Sequence, residues 1–213
     1  MAHFLCHLGC SHFGALLLDF YFTENIQVVL FSIIPFIWWL VTARKKKNFF
    51  KWLGVKKPEC ESKKNLILTM AIILAICFLA GEFAIWLRGD VAAADSAYKG
   101  MGLAALPSVL VYSFIQTGLS EEILFRGFLL KRLTAKFGFT IANIIQALIF
   151  GTIHLTMVWG QVGIIAGIVI VVYPMIPAVV FAYLNEKKAK GSILPSWIIH
   201  GTLNTVSSIF SLF

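Results

Sequence analysis

Six apolar runs, each long enough to cross ~30 Å of hydrocarbon, divide this chain: residues 26 to 43, 65 to 87, 105 to 130, 138 to 158, 161 to 184 and 192 to 213. A backbone in lipid must satisfy its own N–H and C=O groups, which restricts long spans of this kind to helices. The expected fold is therefore all-α, a polytopic transmembrane helical bundle of six spans. A seventh is added if the stretch from Phe4 to Phe22 crosses rather than lying at the interface, since His7, Gly9, His12, Gly14 and Asp19 interrupt it. Composition points the same way, because 213 residues that are 59% hydrophobic and 13% charged carry more large apolar side chains than one soluble core can hide. Residues 1 to 104 hold the N-terminal spans and a Lys-rich loop, and residues 105 to 213 form a membrane core carrying the polar motifs described below.

The net charge of +8 excludes nothing by itself, but its distribution does. Loop 44 to 64 holds Arg44, Lys45, Lys46, Lys47, Lys51, Lys56, Lys57, Lys63 and Lys64; loop 131 to 137 holds Lys131, Arg132 and Lys136; loop 185 to 191 holds Lys187, Lys188 and Lys190. Fifteen of the eighteen basic residues thus fall in alternate loops, the pattern that marks the cytoplasmic side of an integral protein, here expected in a bacterial plasma membrane. Nucleic acid is not an expected partner, because the basic residues mark loops rather than a folded patch with aromatics. Topology marking is preferred to lipid-headgroup binding as the role of loop 44 to 64.

Cys6, Cys10, Cys60 and Cys77 show no disulfide framework and are expected as free thiols. The Cys6, His7, Cys10, His12 cluster fits no standard zinc spacing. Residues 1 to 12 lack the Lys or Arg of a signal peptide. Pro107 near one helix start and Pro195 in the first turn of another agree with the boundaries. Pro174 and Pro177 should kink the fifth helix, and Gly163 with Gly167 is a candidate for close helix approach.

Against this background a few residues stand out as costly. The third span places Glu121, Glu122 and Arg126 in an apolar helix, where each ionised group is expensive. Glu122 and Arg126 are four apart and share a face, so they can pair; Glu121 is rotated about 100° away and has no partner on its own helix. It is left to accept and return a proton. The fourth span carries Phe150 and His154, and the last carries His200 and Asn204, each pair at a four-residue spacing that stacks its members on one face. One histidine in a span is usually a packing residue. Two histidines, an asparagine and a spare glutamate on three helices converge on one another or on water.

Taken in order, Glu-Glu-x-x-x-Arg at 121 to 126, Phe-x-x-x-His at 150 to 154 and His-x-x-x-Asn at 200 to 204 resemble the CAAX-protease and bacteriocin-processing family of intramembrane glutamic endopeptidases, which includes the Ras-converting endopeptidases. The resemblance covers roughly residues 105 to 213. It implies that Glu121 and His154 activate a water, that His200 and Asn204 stabilise the oxyanion, and that Glu122, Arg126 and Phe150 support them. It also implies a peptide or lipidated-protein substrate drawn from the membrane. A Glu and two His could equally hold zinc through Glu121, His154 and His200. The metal-free, cofactor-free version is preferred because no His-Glu-x-x-His motif is present.

Two alternatives stay open: a non-catalytic immunity or regulatory protein that binds a peptide or a sensor, and a proton-coupled carrier, against which the lack of an internal repeat counts. Depth gives a further expectation. At ~1.5 Å per residue from the Lys-rich ends, Glu121 lies ~15 Å deep, His200 ~12 Å and His154 ~24 Å. The mismatch leads us to expect the fourth helix to begin later than Gly138.

Overall fold

A computed structural model describes residues 26–88 and 98–213. The readings made for Phe4 to Phe22, for the Cys6 to His12 cluster and for a signal peptide lie outside these residues. Among the described residues the regular structure is entirely helical: α1 (Ile26–Thr42), α2 (Phe49–Leu53), α3 (Lys63–Arg88), α4 (Gly102–Phe137), α5 (Phe139–Thr156), α6 (Ile164–Lys188) and α7 (Leu194–Ser211). Four of these, α3 to α6, are long and apolar enough to cross a membrane. The α1 helix falls in the shorter apolar class, and α7, with 18 residues, is diluted by His200, Asn204 and several hydroxyls.

The packing is that of a protein in lipid. Large apolar side chains face outward, Ile164 at 85% and Trp86 at 75% exposure, while Glu122, Arg126, Gln146 and Asn185 are wholly buried. Exposed isoleucine costs nothing against hydrocarbon, whereas polar groups must find partners inside. Gln146 does so by donating to the Ala178 carbonyl of α6 at 3.0 Å, and Asn143 by donating to the Val179 carbonyl at 3.1 Å. The α5 and α6 helices pack along each other, α7 lies against the first half of α4, and α3 covers α6 and α7. Gly151 marks the close approach of α5 to α6, because a Cβ there would collide with the Val171 carbonyl oxygen. The expected Gly163 and Gly167 contact is not found: Gly163 caps α6 with nothing within 4 Å, and Gly167 meets only ordinary van der Waals neighbours.

Three boundaries differ from those read in the sequence. Segment 131 to 137 is helix, not loop, because Lys131, Arg132 and Lys136 carry α4 beyond its apolar part to Phe137. Residues 185 to 188 likewise extend α6. Inside the Lys-rich loop, Asn48 accepts from the Phe50 and Lys51 amides and Gly54 closes with φ 95°, giving the short helix α2. Leu53 of α2 is fully buried, and its carbonyl lies 3.0 Å from where a Cβ of Gly127 would stand. The loop is therefore tucked into the bundle rather than spread on its surface, and the Gly54 carbonyl accepts from the Ile193 amide at 2.9 Å.

These placements remove the depth mismatch, and not in the expected way. The α5 helix begins at Phe139, directly after Gly138, so there is no late start. What was misplaced is the end of α4, seven residues further on than expected. Phe125 on α4 meets Phe150 on α5 with ring centroids 4.8 Å apart. In this antiparallel pair, one turn back from Phe125 is Glu121 and one turn on from Phe150 is His154, so the two share a level. The start of α7 is level with Gly127 through Gly54, and six residues separate Gly127 from Glu121 as they do Leu194 from His200.

Candidate active site

The site is built around an irregular stretch of α4. Two segments, Tyr112–Leu119 and Glu122–Leu129, wind as π-helix, with Ser120 and Glu121 between them. A wider turn needs room where the chain closes on itself, and glycine supplies it: a Cβ on Gly118 would stand 2.5 Å from the Ser113 carbonyl oxygen. Such widened turns gather at functional sites. Here the second one carries Glu122 and Arg126, and the first one presents Thr117.

Glu122 and Arg126 pair as their spacing requires, Nη1 to Oε1 at 3.3 Å with both side chains fully buried. The guanidinium lies between two rings, 4.6 Å from the centroid of Phe150 and 5.5 Å from that of Phe181. Phe150 is thus a cation–π wall for Arg126 and also meets His154, with ring centroids 4.7 Å apart and the planes tilted by 57°. Glu122 has further partners that the sequence did not announce. Ser196 of α7 donates to it, Asn185 of α6 donates to Ser196 at 2.7 Å, and His200 Nδ1 lies 3.2 Å from its other oxygen. Ser196 sits one turn before His200, a spacing that could have flagged it.

His200 is held between the two carboxylates. Its Nδ1 faces Glu122, and its Nε2 lies 3.6 Å from Glu121 Oε2, with 12% and 15% of the His200 and Glu121 side chains exposed. Glu121, alone on its own helix, therefore gains a partner from α7. Asn204, one turn beyond His200, donates from Nδ2 to Thr117 Oγ1 at 2.8 Å, and Thr117 donates onward to the Tyr112 carbonyl at 2.9 Å. Gln27 of α1 reaches Ser120, beside Glu121, at 3.1 Å. Gly201 lets α7 come this close to α4, since a Cβ there would strike the Phe114 ring, and Trp197 donates to the Phe114 carbonyl at 2.6 Å.

His154 stands apart. Its Nδ1 bonds the Phe150 carbonyl at 2.7 Å, and the Phe150 ring links it to the pocket. Glu121, Glu122, Arg126 and His200 are drawn together, Asn204 lies one turn beyond His200 on Thr117, and His154 shares their level with its Nδ1 on the Phe150 carbonyl. Among the described residues no three His, Cys, Asp or Glu side chains gather closely enough to hold a metal ion. The described cysteines, Cys60 and Cys77, are free thiols, as expected.

Neither the curated proteins nor the solved structures contain a match to this chain. One family model does match, that of the type II CAAX prenyl endopeptidase Rce1-like family, over residues 103–206. That span holds all three motifs, and over it the chain is similar to the Rce1-like family of CAAX prenyl endopeptidases.

Proposed function

We propose that this chain hydrolyses a peptide bond within the membrane, with Glu121 as the base and His200 and Asn204 as oxyanion donors. The observation that carries the reading is the 3.6 Å approach of His200 Nε2 to Glu121 Oε2 inside a helical core. Similarity to the Rce1-like family over residues 103–206 supports an endopeptidase acting on a membrane-associated or prenylated peptide.

Glu121 takes a proton from a water, and the resulting hydroxide attacks the scissile carbonyl. The His154 Nδ1 proton is used on the Phe150 carbonyl, which leaves Nε2 as an acceptor to orient that water. Charge then develops on the carbonyl oxygen. His200, held at Nδ1 by Glu122, presents Nε2 to the oxyanion as a hydrogen-bond donor. Asn204 spends one amide proton on Thr117 and retains the second. Glu121 returns its proton to the leaving amine as the C–N bond breaks. Glu122, Arg126, Ser196 and Phe150 hold the histidine in place, and the catalytic core is residues 105 to 213. The α1 and α7 helices cross with the other four, the Lys-rich loops face the cytoplasm of a bacterial cell, and no metal takes part.

The test is a proteomic comparison of membranes holding wild type or Glu121→Gln. The expected result is at least one peptide terminus that disappears in the variant while expression and folding are retained. Unchanged termini would eliminate the peptidase reading. If Glu121, His154 and His200 variants all keep the cellular phenotype, the function is binding, as in an immunity or regulatory protein.

A further inference from the structure

At the Lys-rich end of the bundle, away from the catalytic groups, α1, α2, α4 and the loop after α6 enclose an open cleft of about 620 Å³. Lys46, Lys47 and Lys51 line one side, with Lys56 beside them, and Lys131, Arg132 and Lys190 line the other. These seven cations face a single lining carboxylate, Glu186, which Lys131 already engages while also donating to the Gly191 carbonyl at 2.9 Å. Lys56 is engaged with Glu59 at 3.1 Å. Among the described residues Lys46, Lys47 and Lys51 have no carboxylate within ion-pair range, so the cleft carries an uncompensated positive charge. Topology marking requires basic loops but not a shared cavity into which three of them converge.

Arg132 is the most organised of these groups. Its guanidinium lies 4.2 Å from the centroid of Trp52, which fixes a planar fork of donors at the cleft wall. Such a fork matches phosphate oxygens. The rim gives a second requirement, since Trp38 lines the cleft at 49% exposure and, one and two turns back along α1, Ile34 and Leu30 face outward at 58% and 55% exposure. Tryptophan at the head of an apolar helix face is the arrangement of a membrane interface. A ligand with a phosphate in the cleft and hydrocarbon along α1 satisfies both.

We propose that this cleft binds the phosphate of an anionic glycerophospholipid whose acyl chains lie along α1. It is a site separate from the peptidase centre and does not depend on that reading. Lys51 and Arg132 carry most of the headgroup contact, and binding weakens as salt rises.

The full chain in detergent is titrated with short-chain phosphatidylglycerol, with phosphatidylcholine of the same chain length and with glycerol phosphate, while the thermal midpoint and lipid retention in native mass spectrometry are followed. The expected result is saturable stabilisation by phosphatidylglycerol only. Lys51→Gln with Arg132→Gln should weaken it about tenfold or more, while Lys45→Gln with Lys57→Gln, which removes equal charge outside the cleft, should not. Equal effects of the two double variants, or of the two lipids, would overturn the proposal. So would glycerol phosphate binding as tightly as the lipid, which would make this a soluble-phosphate site, or an acidic peptide binding where the lipid does not. Because both double variants leave Glu121, His154, His200 and Asn204 intact, peptide cleavage reads separately from lipid binding.

Discussion

Replacing Glu122 by glutamine tests the division of labour between the two adjacent glutamates. In the native chain the Arg126 guanidinium is fully buried, and its one carboxylate partner among the described residues is Glu122 at 3.3 Å. Glutamine keeps the size and can still accept from Ser196, but it removes the negative charge. Two aromatic faces remain, at 4.6 and 5.5 Å; each contributes on the order of 1 kcal/mol, against a desolvation cost of several kcal/mol for an unpaired buried ion. The net loss is about 3–5 kcal/mol, or on the order of 10 °C in the thermal midpoint for a chain of this length. Thermal unfolding in detergent measures it, with Arg126→Met and the double variant completing a cycle. The double variant should recover much of the loss, with a coupling above about 2 kcal/mol. Glu121→Gln, at 15% side-chain exposure and beside no arginine, should cost less than about 1 kcal/mol. A loss below about 1 kcal/mol for Glu122→Gln, or a double variant equal to the sum of the singles, would refute the argument.

Asn204→Ala should lower kcat by about 10²- to 10³-fold with KM little changed, and Thr117→Val, which releases the Asn204 amide and the Tyr112 carbonyl but keeps Asn204, should cost about tenfold; single-turnover kinetics on a cleaved peptide separates the two. Phe150→Leu removes one wall of Arg126 and the ring packed against His154, so it should both lower stability by about 1–2 kcal/mol and reduce kcat, measured by unfolding and turnover on the same preparation. Exhaustive chelation should leave turnover intact and elemental analysis should find less than stoichiometric zinc; loss of activity restored by zinc would instead assign Glu121, His154 and His200 to a metal.

The helical class, most span positions and the identity of the costly residues were legible in the linear order. Hydrocarbon thickness fixes a run length, and ionised groups in lipid are conspicuous wherever they fall. The Glu122 and Arg126 pair followed from a four-residue spacing because both members lie on one helix. Partners on different helices did not follow. Ser196 and Asn185 behind Glu122, and Thr117 behind Asn204, are ordinary polar residues whose roles arise from contact across α4, α6 and α7. The end of α4 was misread because Lys131, Arg132 and Lys136 look like a loop in a hydropathy pattern, although long basic side chains can continue a helix while reaching water.

The sequence by itself determined that this chain must be helical and lipid-facing, and that Glu121, Glu122, Arg126, His154, His200 and Asn204 need an interior. Only the tertiary structure decided that His200 stands between the two carboxylates, that Glu121 and His154 share a level, and that basic segments distant in sequence close around one cleft. The reason is geometric. Periodicity along one helix sets which side chains share its face, but the register between helices is set by where turns such as Gly138 and Gly54 fall and by how closely Gly127, Gly151 and Gly201 let neighbours approach.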